Sequence, residues 1–413
     1  MKEAIQLTFG PYGHTLHHNQ VISPDNQWIV YDTRNDDSQI GTTTRIERVN
    51  HFTKEIEVLY EVPNSNQYGP GVGAVTYSPV QDRVIFIHGI SNASKELPYG
   101  MSRRSGVAID INKANLPIYM DARNIYEPFT KGALRGGTHS HAWNADGNRI
   151  SFTYNDFVLE QNGIPDERVV GVMYPKDVFI ERDDSAECFS GKMFSILISQ
   201  IVESATPGSD EIEKAFDECW LGNQNSIVFQ GWVIDVNGNR KTEIFKVDLP
   251  ENLDFISDED LIEGSFSLRP QVPNLIKQQR VTTTPRGVSS FRHWLRSSPD
   301  GKFVYFLMED DNLIINIFEL NLENNEILQL TKHHKSIHSP FNISPDGNKI
   351  IYFCDHQLML YNRLENHFVE LTAQDVELSG IPNFNKNGDC IFFNKYVQEK
   401  NTSKILQIFK LEL

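Results

Sequence analysis

Several histidines and arginines of this chain are spaced so that their side chains could act together. His139 and His141 are separated by one residue in a segment that reads as a β-strand, and residues i and i+2 of a strand face the same side. Neutral imidazole is a frequent ligand of divalent metal ions. The pair therefore predicts a site where two imidazoles face one ion or one polar ligand.

Further histidines and arginines precede other predicted strand pairs. The histidines at such positions are His14, His17, His18, His293, His333, His334 and His338. The arginines are Arg103, Arg104, Arg135, Arg292 and Arg296. Guanidinium groups bind carboxylates and phosphates through paired hydrogen bonds, so a gathering of these residues would bind an anion. Taken singly, each residue also has an ordinary structural role, in hydrogen bonds to loops or in ion pairs with acidic side chains.

A repeated strand–turn–strand pattern is the element that would bring these residues together. Seven such hairpin cores can be aligned, at residues 19–32, 74–88, 135–155, 218–231, 293–308, 341–354 and 381–394. Ser-Pro-Asp-Gly turns at 298–301 and 344–347 precede strands rich in Ile, Val and aromatic residues. Four short strands per unit, at a period of about 40 residues, are typical of a β-propeller. The sequence predicts an all-β fold, a single seven-bladed β-propeller domain over residues 1–413.

The two ends of the chain predict how the ring closes. The last unit stops one strand short, and residues 5–8 can supply that strand, so the N-terminal strand would close the last blade. Insertions are expected around 155–215 and 250–285. Within the first, residues 210–220 read as a helix, with Asp210 as N-cap and Glu213 completing a capping box. Residues just before each hairpin core would lie at one mouth of the central channel.

Composition limits the classes of partner. The formal net charge is −17, which excludes a nucleic acid as a partner of the surface as a whole. No apolar run approaches the ~18 residues of a membrane span, and the N-terminus lacks the apolar core of a signal peptide. We expect a cytoplasmic protein without membrane insertion, although a chain trimmed of a signal peptide would read the same. The 4 cysteines form no CxxC pair, and no Gly-x-Ser-x-Gly nucleophile motif is present.

The motifs together resemble the YidR family of TolB-like β-propellers. The resemblance rests on the motifs at residues 5–9, 135–141, 151–156, 207–212 and 292–294. It covers essentially the whole chain and implies the propeller fold, but it carries no activity with it. In architecture the chain also resembles oligogalacturonate lyases, which are seven-bladed propellers that hold a divalent metal with His and Gln side chains at the channel mouth.

These observations combine into a hypothesis for the channel mouth. We expect a divalent metal ion (Mn, Zn or Ca) to be held by His139, His141, His293 and His338. The candidate catalytic residues are His141, Arg135 and Arg292, and the candidate ligand-binding residues are His14, His17, Arg103 and Arg104. The ligand would be a small anionic, sugar-derived molecule or an oligosaccharide, and the activity that of a metal-dependent lyase or hydrolase. The alternative is a non-enzymatic scaffold that binds a protein partner, which is a common use of propellers.

Overall fold

The computed structural model describes residues 3–181, 186–398 and 403–413. Within these residues, the strands form seven antiparallel sheets, each of which is one blade. Each sheet is built from strands that follow one another along the chain, and the last one also takes up the first strand. The predicted all-β, seven-bladed β-propeller is therefore confirmed.

Blades 1 to 4 occupy the first part of the chain. The first strand is β1 (Ile5–Gln6), and blade 1 then holds β2 (Trp28–Asp32), β3 (Arg45–Asn50) and β4 (Ile56–Glu61). Blade 2 holds β5 (Val72–Tyr77), β6 (Arg83–Gly89), β7 (Arg104–Asp110) and β8 (Ile118–Tyr119). Blade 3 holds β9 (Gly136–Trp143), β10 (Ile150–Asp156), β11 (Val169–Tyr174) and β12 (Phe194–Leu197). Blade 4 holds β13 (Ala215–Trp220), β14 (Ser226–Ile234), β15 (Arg240–Asp248) and β16 (Gln278–Arg280).

Blades 5 to 7 follow with shorter connections. Blade 5 holds β17 (Arg296–Ser297), β18 (Phe303–Glu309), β19 (Ile315–Asn321) and β20 (Ile327–Gln329). Blade 6 holds β21 (Asn342–Ile343), β22 (Lys349–Cys354), β23 (Gln357–Asn362) and β24 (His367–Glu370). Blade 7 holds β25 (Leu378–Phe384), β26 (Cys390–Val397) and β27 (Ile405–Glu412), together with β1. In blade 1 the innermost position is taken by residues 15–22, which bridge β2 at both ends.

Serine side chains in the turns fix where the second strand of a hairpin begins. In the Ser-Pro-Asp-Gly turn of blade 5, Oγ of Ser298 accepts the backbone N–H of Phe303 at 3.0 Å, and Gly301 has a φ of +73°, which glycine adopts without a steric cost. In blade 6, Oγ of Ser344 accepts the N–H of Lys349 at 2.9 Å in the same way. The repeated sequence motif thus produces a repeated local structure.

The N-terminal strand closes the ring, as the sequence predicted. β1 pairs antiparallel with β27, with Ile5 opposite Lys410. The N–H of Leu7 donates to the carbonyl of Ile408 at 2.8 Å, and the Leu7 side chain is buried in the apolar layer between blades 7 and 1. Similar apolar layers lie between the other neighbouring blades and form the core.

The prediction of a helix over residues 210–220 is wrong. β13 occupies the second half of that stretch and pairs with β14, so that Cys219 lies opposite Val228. Glu213, which was expected in a capping box, instead forms an ion pair with Arg240 at 2.7 Å. Cross-strand pairing has overridden the local capping signal because tertiary packing outweighs helix propensity.

The helices that the structure describes are short. α1 (Phe157–Gln161) follows β10, and the carboxylate of its N-cap Asp156 accepts the N–H of Leu159 at 2.9 Å. Two 3₁₀ helices cover Asp37–Thr42 and Ile111–Lys113. Within the described ranges, none of the helices is long and apolar enough to cross a membrane.

The two predicted insertions differ in what they contain. Residues 155–215 include α1, β11 and β12, so much of this stretch is the outer half of blade 3. Residues 250–285 contain β16 and are otherwise an irregular connection. This connection is fastened to blade 3 by Arg135, whose guanidinium donates to the carbonyl of Leu268 at 2.7 Å and to that of Ser265.

Candidate functional site

A cavity of about 400 Å³ lies where the innermost strands converge on the channel axis. We call it the channel-mouth cavity. Its charged and aromatic lining residues are His17, His18, Arg34, Arg104, His139, Arg168, Phe291, Arg292, Trp294 and His338. These residues come from blades 1, 2, 3, 5 and 6, which are far apart in the sequence. Of the predicted site residues, the structure brings together His17, Arg104, His139, Arg292 and His338 around this cavity.

The innermost strands are bent by β-bulges at similar points. In β5, β9, β13 and β25, extra residues interrupt the pairing with the next strand. The residues with left-handed φ at these points are Ala74 (+56°), Ser140 (+59°), Asp217 (+52°) and Gly380 (+71°). A non-glycine residue adopts this conformation at a cost of about 1–3 kcal/mol, and such strain gathers at functional sites. Three of these residues, Ala74, Ser140 and Gly380, line the cavity.

The bulge at Ser140 separates the two histidines that the sequence places on one face. Between His139 and Ala142, β9 has one residue more than the facing part of β10. The i, i+2 rule therefore fails, and Nε2 of His141 lies 3.0 Å from Oγ1 of Thr138 instead. His139 lines the cavity, whereas His141 is fully buried and is not part of the lining. The prediction that both imidazoles face one ligand is therefore wrong.

Three histidines have an unused ring nitrogen at the cavity, and in two of them it is a hydrogen-bond donor. Nδ1 of His139 accepts from Nη1 of Arg104 at 3.5 Å, and Nδ1 of His18 accepts from Nη2 of Arg296 at 3.3 Å. Because the neutral ring carries one proton, the proton of these two rings lies on Nε2. The buried Nε2 atoms of His17, His18 and His139 have no hydrogen-bond partner among the described residues. Burial lowers the pKa of all three histidines well below the usual value, so they are neutral at pH 7.

Trp294 forms an aromatic wall at the cavity. Its ring stacks on that of His18, with the ring centroids 4.2 Å apart and an angle of 2° between the planes. The guanidinium carbon of Arg292 lies 4.5 Å from the Trp294 ring centroid. These contacts fix the orientation of both the indole and the guanidinium group.

Arginines surround the cavity, and two of them have acidic partners. Nε of Arg34 lies 2.7 Å from Oδ1 of Asp32, with both side chains buried. Nε of Arg292 lies 3.8 Å from Oδ1 of Asp217, which is the long end of the range for an ion pair. The charge of Arg34 is therefore neutralised within the protein, and that of Arg292 only weakly.

The other two arginines of the cavity have no such partner. Neither Arg104 nor Arg168 has a carboxylate within 4.0 Å among the residues that the structure describes. Arg104 stacks over Tyr99, with 4.7 Å from its guanidinium carbon to the ring centroid, and Nη2 of Arg168 lies 3.9 Å from Sδ of Met101. Burial lowers the pKa of both guanidinium groups, although they remain protonated at pH 7.

Two adjacent carboxyl groups lie in β13, close to these arginines. Burial raises the pKa of Asp217 to about 6, and the neighbouring Arg292 and Arg168 oppose that rise. Burial raises the pKa of Glu218 to about 8. At pH 7, Glu218 is therefore mostly neutral and Asp217 mostly ionised, so Asp217 is the carboxylate that opposes the arginines.

Side chains close the inner end of the cavity. The amide of Gln20, from blade 1, donates to the carbonyl of Trp143 in blade 3 at 2.8 Å and accepts its N–H at 2.9 Å. The guanidinium of Arg296, from blade 5, donates to the carbonyl of His18 at 2.9 Å and to Oδ1 of Asn342 in blade 6 at 2.6 Å. These bonds join blades 1, 3, 5 and 6 across the channel axis at the inner end of the cavity.

Arg135, a predicted catalytic residue, lies away from the cavity. Its Nε is 2.8 Å from Oδ2 of Asp156, and both side chains are buried. Its other nitrogens hold the carbonyls of Ser265 and Leu268. The prediction of a catalytic role is wrong because all sides of this guanidinium are used to anchor the 250–285 connection.

Two predicted ligand-binding residues are also engaged within the fold. Nδ1 of His14 lies 2.8 Å from Oε1 of Gln407, which joins blade 1 to blade 7. Arg103 pairs with Glu187, and its Nη2 donates to Oδ1 of Asn92 at 2.6 Å. Neither side chain lines the channel-mouth cavity, because a residue that precedes a hairpin core can point along the blade interface instead of into the channel.

The predicted metal ligands do not come together. His293 uses both ring nitrogens, since Nδ1 lies 2.7 Å from the carbonyl of Phe291 and Nε2 accepts the N–H of Leu307 at 3.0 Å. Across the described ranges, no group of three or more His, Cys, Asp or Glu side chains is arranged to hold a metal ion. The set His139, His141, His293 and His338 therefore does not fit a divalent ion.

Several cavity residues were absent from the predicted site, among them Arg34, Phe291, Trp294 and Arg168. Trp294 could have been found from the sequence, because residues alternate in an extended segment: Arg292 and Trp294 line the cavity, whereas His293 faces the blade. Arg168 had no comparable signal. It directly precedes β11 in a stretch that reads as an insertion, and only the return of that strand to blade 3 brings it to the cavity.

Comparisons with known proteins place the chain in a family and confirm its fold. A family profile described as a protein of unknown function (DUF3748) matches residues 71–186. The chain is 35% identical over 362 residues to the uncharacterized protein YidR of Escherichia coli (strain K12), covering 86% of this chain and 85% of that protein. An oligogalacturonate lyase in complex with manganese is similar in structure, with a TM-score of 0.57 and 11% identity over 100% of this chain and 93% of that one. A puromycin hydrolase mutant complexed with PGG has a TM-score of 0.58 and 10% identity over 100% of this chain and 55% of that one.

Proposed function

The chain belongs to the YidR family, and we propose that the channel-mouth cavity of this propeller binds a small, acidic, sugar-derived ligand. The observation that carries the proposal is the positive charge of the cavity, in a chain whose net charge is −17. Arg104 and Arg168 line it without a carboxylate partner among the described residues. Leaving a buried guanidinium without a counter-ion is costly, and an anionic ligand would supply that counter-ion.

The uncharged groups of the cavity can bind the hydroxyl groups and the carbon skeleton of a sugar. The Nε2 atoms of His18 and His139 are buried donors without partners in the described ranges, and Nε2 of His17 is also unpartnered there. Sugar hydroxyl groups can both accept and donate, so they can bind all three nitrogens. Trp294, whose ring contacts His18 and Arg292, adds apolar surface to the cavity lining, as in small-molecule sites that combine apolar walls with a few polar groups. An oligogalacturonate lyase shares this fold, and oligogalacturonate is an acidic sugar, which also supports this class of ligand.

Asp217 contacts the lining residue Arg292 but does not itself line the cavity, so it would have to reach the ligand to serve a lyase or hydrolase activity. Removal of a proton beside a carboxylate, or activation of a water molecule, needs a base whose pKa lies near the working pH. Asp217 has a pKa of about 6 and lies beside Arg292. The histidines of the cavity have strongly lowered pKa values, so they would donate hydrogen bonds to the ligand rather than accept its proton.

Isothermal titration calorimetry with acidic and neutral sugars tests this proposal. D-Galacturonate and D-glucuronate should bind, whereas D-galactose and D-glucose, their matched neutral controls, should not. Arg104→Gln should weaken binding by about tenfold or more, because it removes a charged partner. The exposed Arg286→Gln, which changes the net charge equally, should bind as the wild type does. Equal binding of neutral and acidic sugars, or no binding of either acid, would show the proposal to be wrong.

A second candidate function, a scaffold for a protein partner, is favoured by the outer edge of blade 6. All residues of β24 are exposed, and its Phe368 lines a surface groove together with the exposed Leu364. Exposed apolar side chains on an outer strand are a common feature of interaction surfaces. Phe368→Ser separates the two functions: it should release a partner bound at this edge, measured by size-exclusion chromatography of a purified complex, and leave the binding of an acidic sugar unchanged.

A further inference from the structure

The charges around the channel-mouth cavity indicate how many charges its ligand carries. The guanidinium groups of the lining are those of Arg34, Arg104, Arg168 and Arg292. The carboxylates that oppose them are Asp32, paired with Arg34, and Asp217, near Arg292. Within the described residues, four guanidinium groups against two carboxylates leave two positive charges without a counter-ion, those of Arg104 and Arg168.

The contacts of these two arginines orient the guanidinium groups without neutralising them. Arg104 is held by the ring of Tyr99 and by a hydrogen bond to Nδ1 of His139, and Arg168 by a contact with Sδ of Met101. The Nε atoms of both arginines are buried without a hydrogen-bond partner in the part of the chain that the structure describes. Polar atoms of this kind normally have a partner in the working protein, so both arginines are positioned for a group from outside the chain.

The other polar groups of the cavity do not remove the excess charge. His17, His18 and His139 are neutral, and the Glu218 carboxyl is mostly protonated at pH 7. A ligand with a single negative charge would leave one of the two guanidinium groups without a counter-ion, and these groups belong to the buried Arg104 and the partly buried Arg168. An unpaired charge away from water is costly. A ligand with two negative charges would compensate both.

We infer, building on the proposed function, that the ligand of the channel-mouth cavity is a dianion, a sugar acid or polyol that carries two negative charges. Arg104 and Arg168 each compensate one charge. The Nε2 donors of His18 and His139 bind neutral oxygens of the same molecule. Two chemical sources share this description, a chain with two carboxylates and a sugar with one phosphate monoester, whose charge at pH 7 is about −1.5 to −2.

Four six-carbon probes that differ in charge test the inference by titration calorimetry at pH 7.5 and fixed ionic strength. D-Glucitol is neutral, D-gluconate carries one charge, and D-glucarate and glucose 6-phosphate carry two. At least one of the two dianions should bind about tenfold more tightly than D-gluconate, the expected effect of one additional charge pair. The tighter of the two tells whether the charges lie on two groups or on one.

Substitutions test which residue produces the preference for a dianion. Arg168→Gln, checked for folding by thermal unfolding, should reduce the preference for a dianion over D-gluconate to about twofold or less, and the exposed Arg286→Gln should leave it unchanged. Equal affinity for D-gluconate and both dianions in the wild type would overturn the inference and leave the proposed function standing. Failure of all three acids to bind would overturn both. An undiminished preference in folded Arg168→Gln would also overturn the inference.

Discussion

Asp217 is the side chain through which pH should change the affinity of the cavity for an anionic ligand. Its carboxylate lies 3.8 Å from Nε of Arg292 and competes with an anionic ligand for the same guanidinium group. Burial raises its pKa to about 6, so it changes from charged to neutral within an accessible pH range. Arg168, Arg296, Lys214 and the buried Glu218 are the other titratable groups that act on it.

Lowering the pH should therefore strengthen the binding of an acidic sugar. Between pH 7.5 and pH 5, Asp217 takes up a proton and its repulsion of the ligand disappears, while a sugar carboxylate remains ionised and His17, His18 and His139 remain neutral. Any protonation of His338, which also lines the cavity, would act in the same direction. We expect affinity to rise by about three- to tenfold, measured by calorimetry at several pH values. Asp217→Asn should bind tightly at pH 7.5 and lose most of this dependence. A pH profile of the Asn variant that matches the wild type would contradict the role of Asp217.

Glu218 affects stability more than binding. Its pKa is about 8 in the folded state, raised by burial from the ordinary value of 4.5, so between these values the folded protein holds a proton that the unfolded chain releases. The free energy of unfolding should fall as pH rises through this window, by up to about 1.4 kcal/mol per pH unit from this group. Glu218→Gln should remove that slope.

Denaturant unfolding at pH 5 and pH 8 measures this effect. The stability gained by Glu218→Gln relative to the wild type should be larger at pH 8 than at pH 5, and the exposed Glu309→Gln should show no such difference. A constant difference between Glu218→Gln and the wild type at the two pH values would mean that Glu218 is charged in the folded protein.

At the scale of the strand, the bulges decide which side chains reach the cavity. The sequence predicted β9 correctly as a strand, but it has no signal for an extra residue at Ser140, since serine is not typical of left-handed φ. That one residue turned a correct strand into a wrong prediction for His141. The helix prediction at 210–220 was wrong because the local sequence favours a helix, whereas residues 215–220 pair as strand β13. This strand also has a bulge, at Asp217.

A comparison of two alanines tests the strain at these bulges. Ala74 has a φ of +56°, whereas Ala142 has no left-handed φ and lies opposite Ser151 at the edge of the β9 bulge; both are buried. Glycine relieves a left-handed φ but loosens an ordinary strand. Ala74→Gly should therefore be more stable than Ala142→Gly by about 1 kcal/mol, measured by denaturant unfolding. If Ala74→Gly is the less stable of the two, the bulge is not strained as described.

At the scale of the whole molecule, repetition made the fold predictable. The hairpin cores and their turns recur along the chain, and each recurrence is independent support for the same blade. The location of the site followed from the fold, because rotation of the blades brings residues before each core to one mouth. The individual roles did not follow, because the direction of a side chain depends on contacts between blades, as the pairing of Arg103 with Glu187 shows.

Closure of the ring by the N-terminal strand makes the stability of blade 7 depend on Leu7. This side chain is 1% exposed, whereas that of Ile5 in the same segment is 47% exposed. Leu7→Ala should lower the free energy of unfolding by about 2–5 kcal/mol, the usual cost of such a cavity in a core, and Ile5→Ala by less than about 1 kcal/mol. Equal costs in denaturant unfolding would mean that the segment does not complete the blade.

We propose that arginines make the channel-mouth cavity a site for an anion. Selenate, a small dianion with a strong anomalous signal, tests this most directly in crystals soaked with it and measured at the selenium absorption edge. We predict an anomalous peak inside the cavity, within hydrogen-bonding distance of Arg104 or Arg168, and its loss in crystals of Arg104→Gln and Arg168→Gln combined. A cavity without a peak, with both guanidinium groups turned onto carboxylates of the chain, would contradict the account.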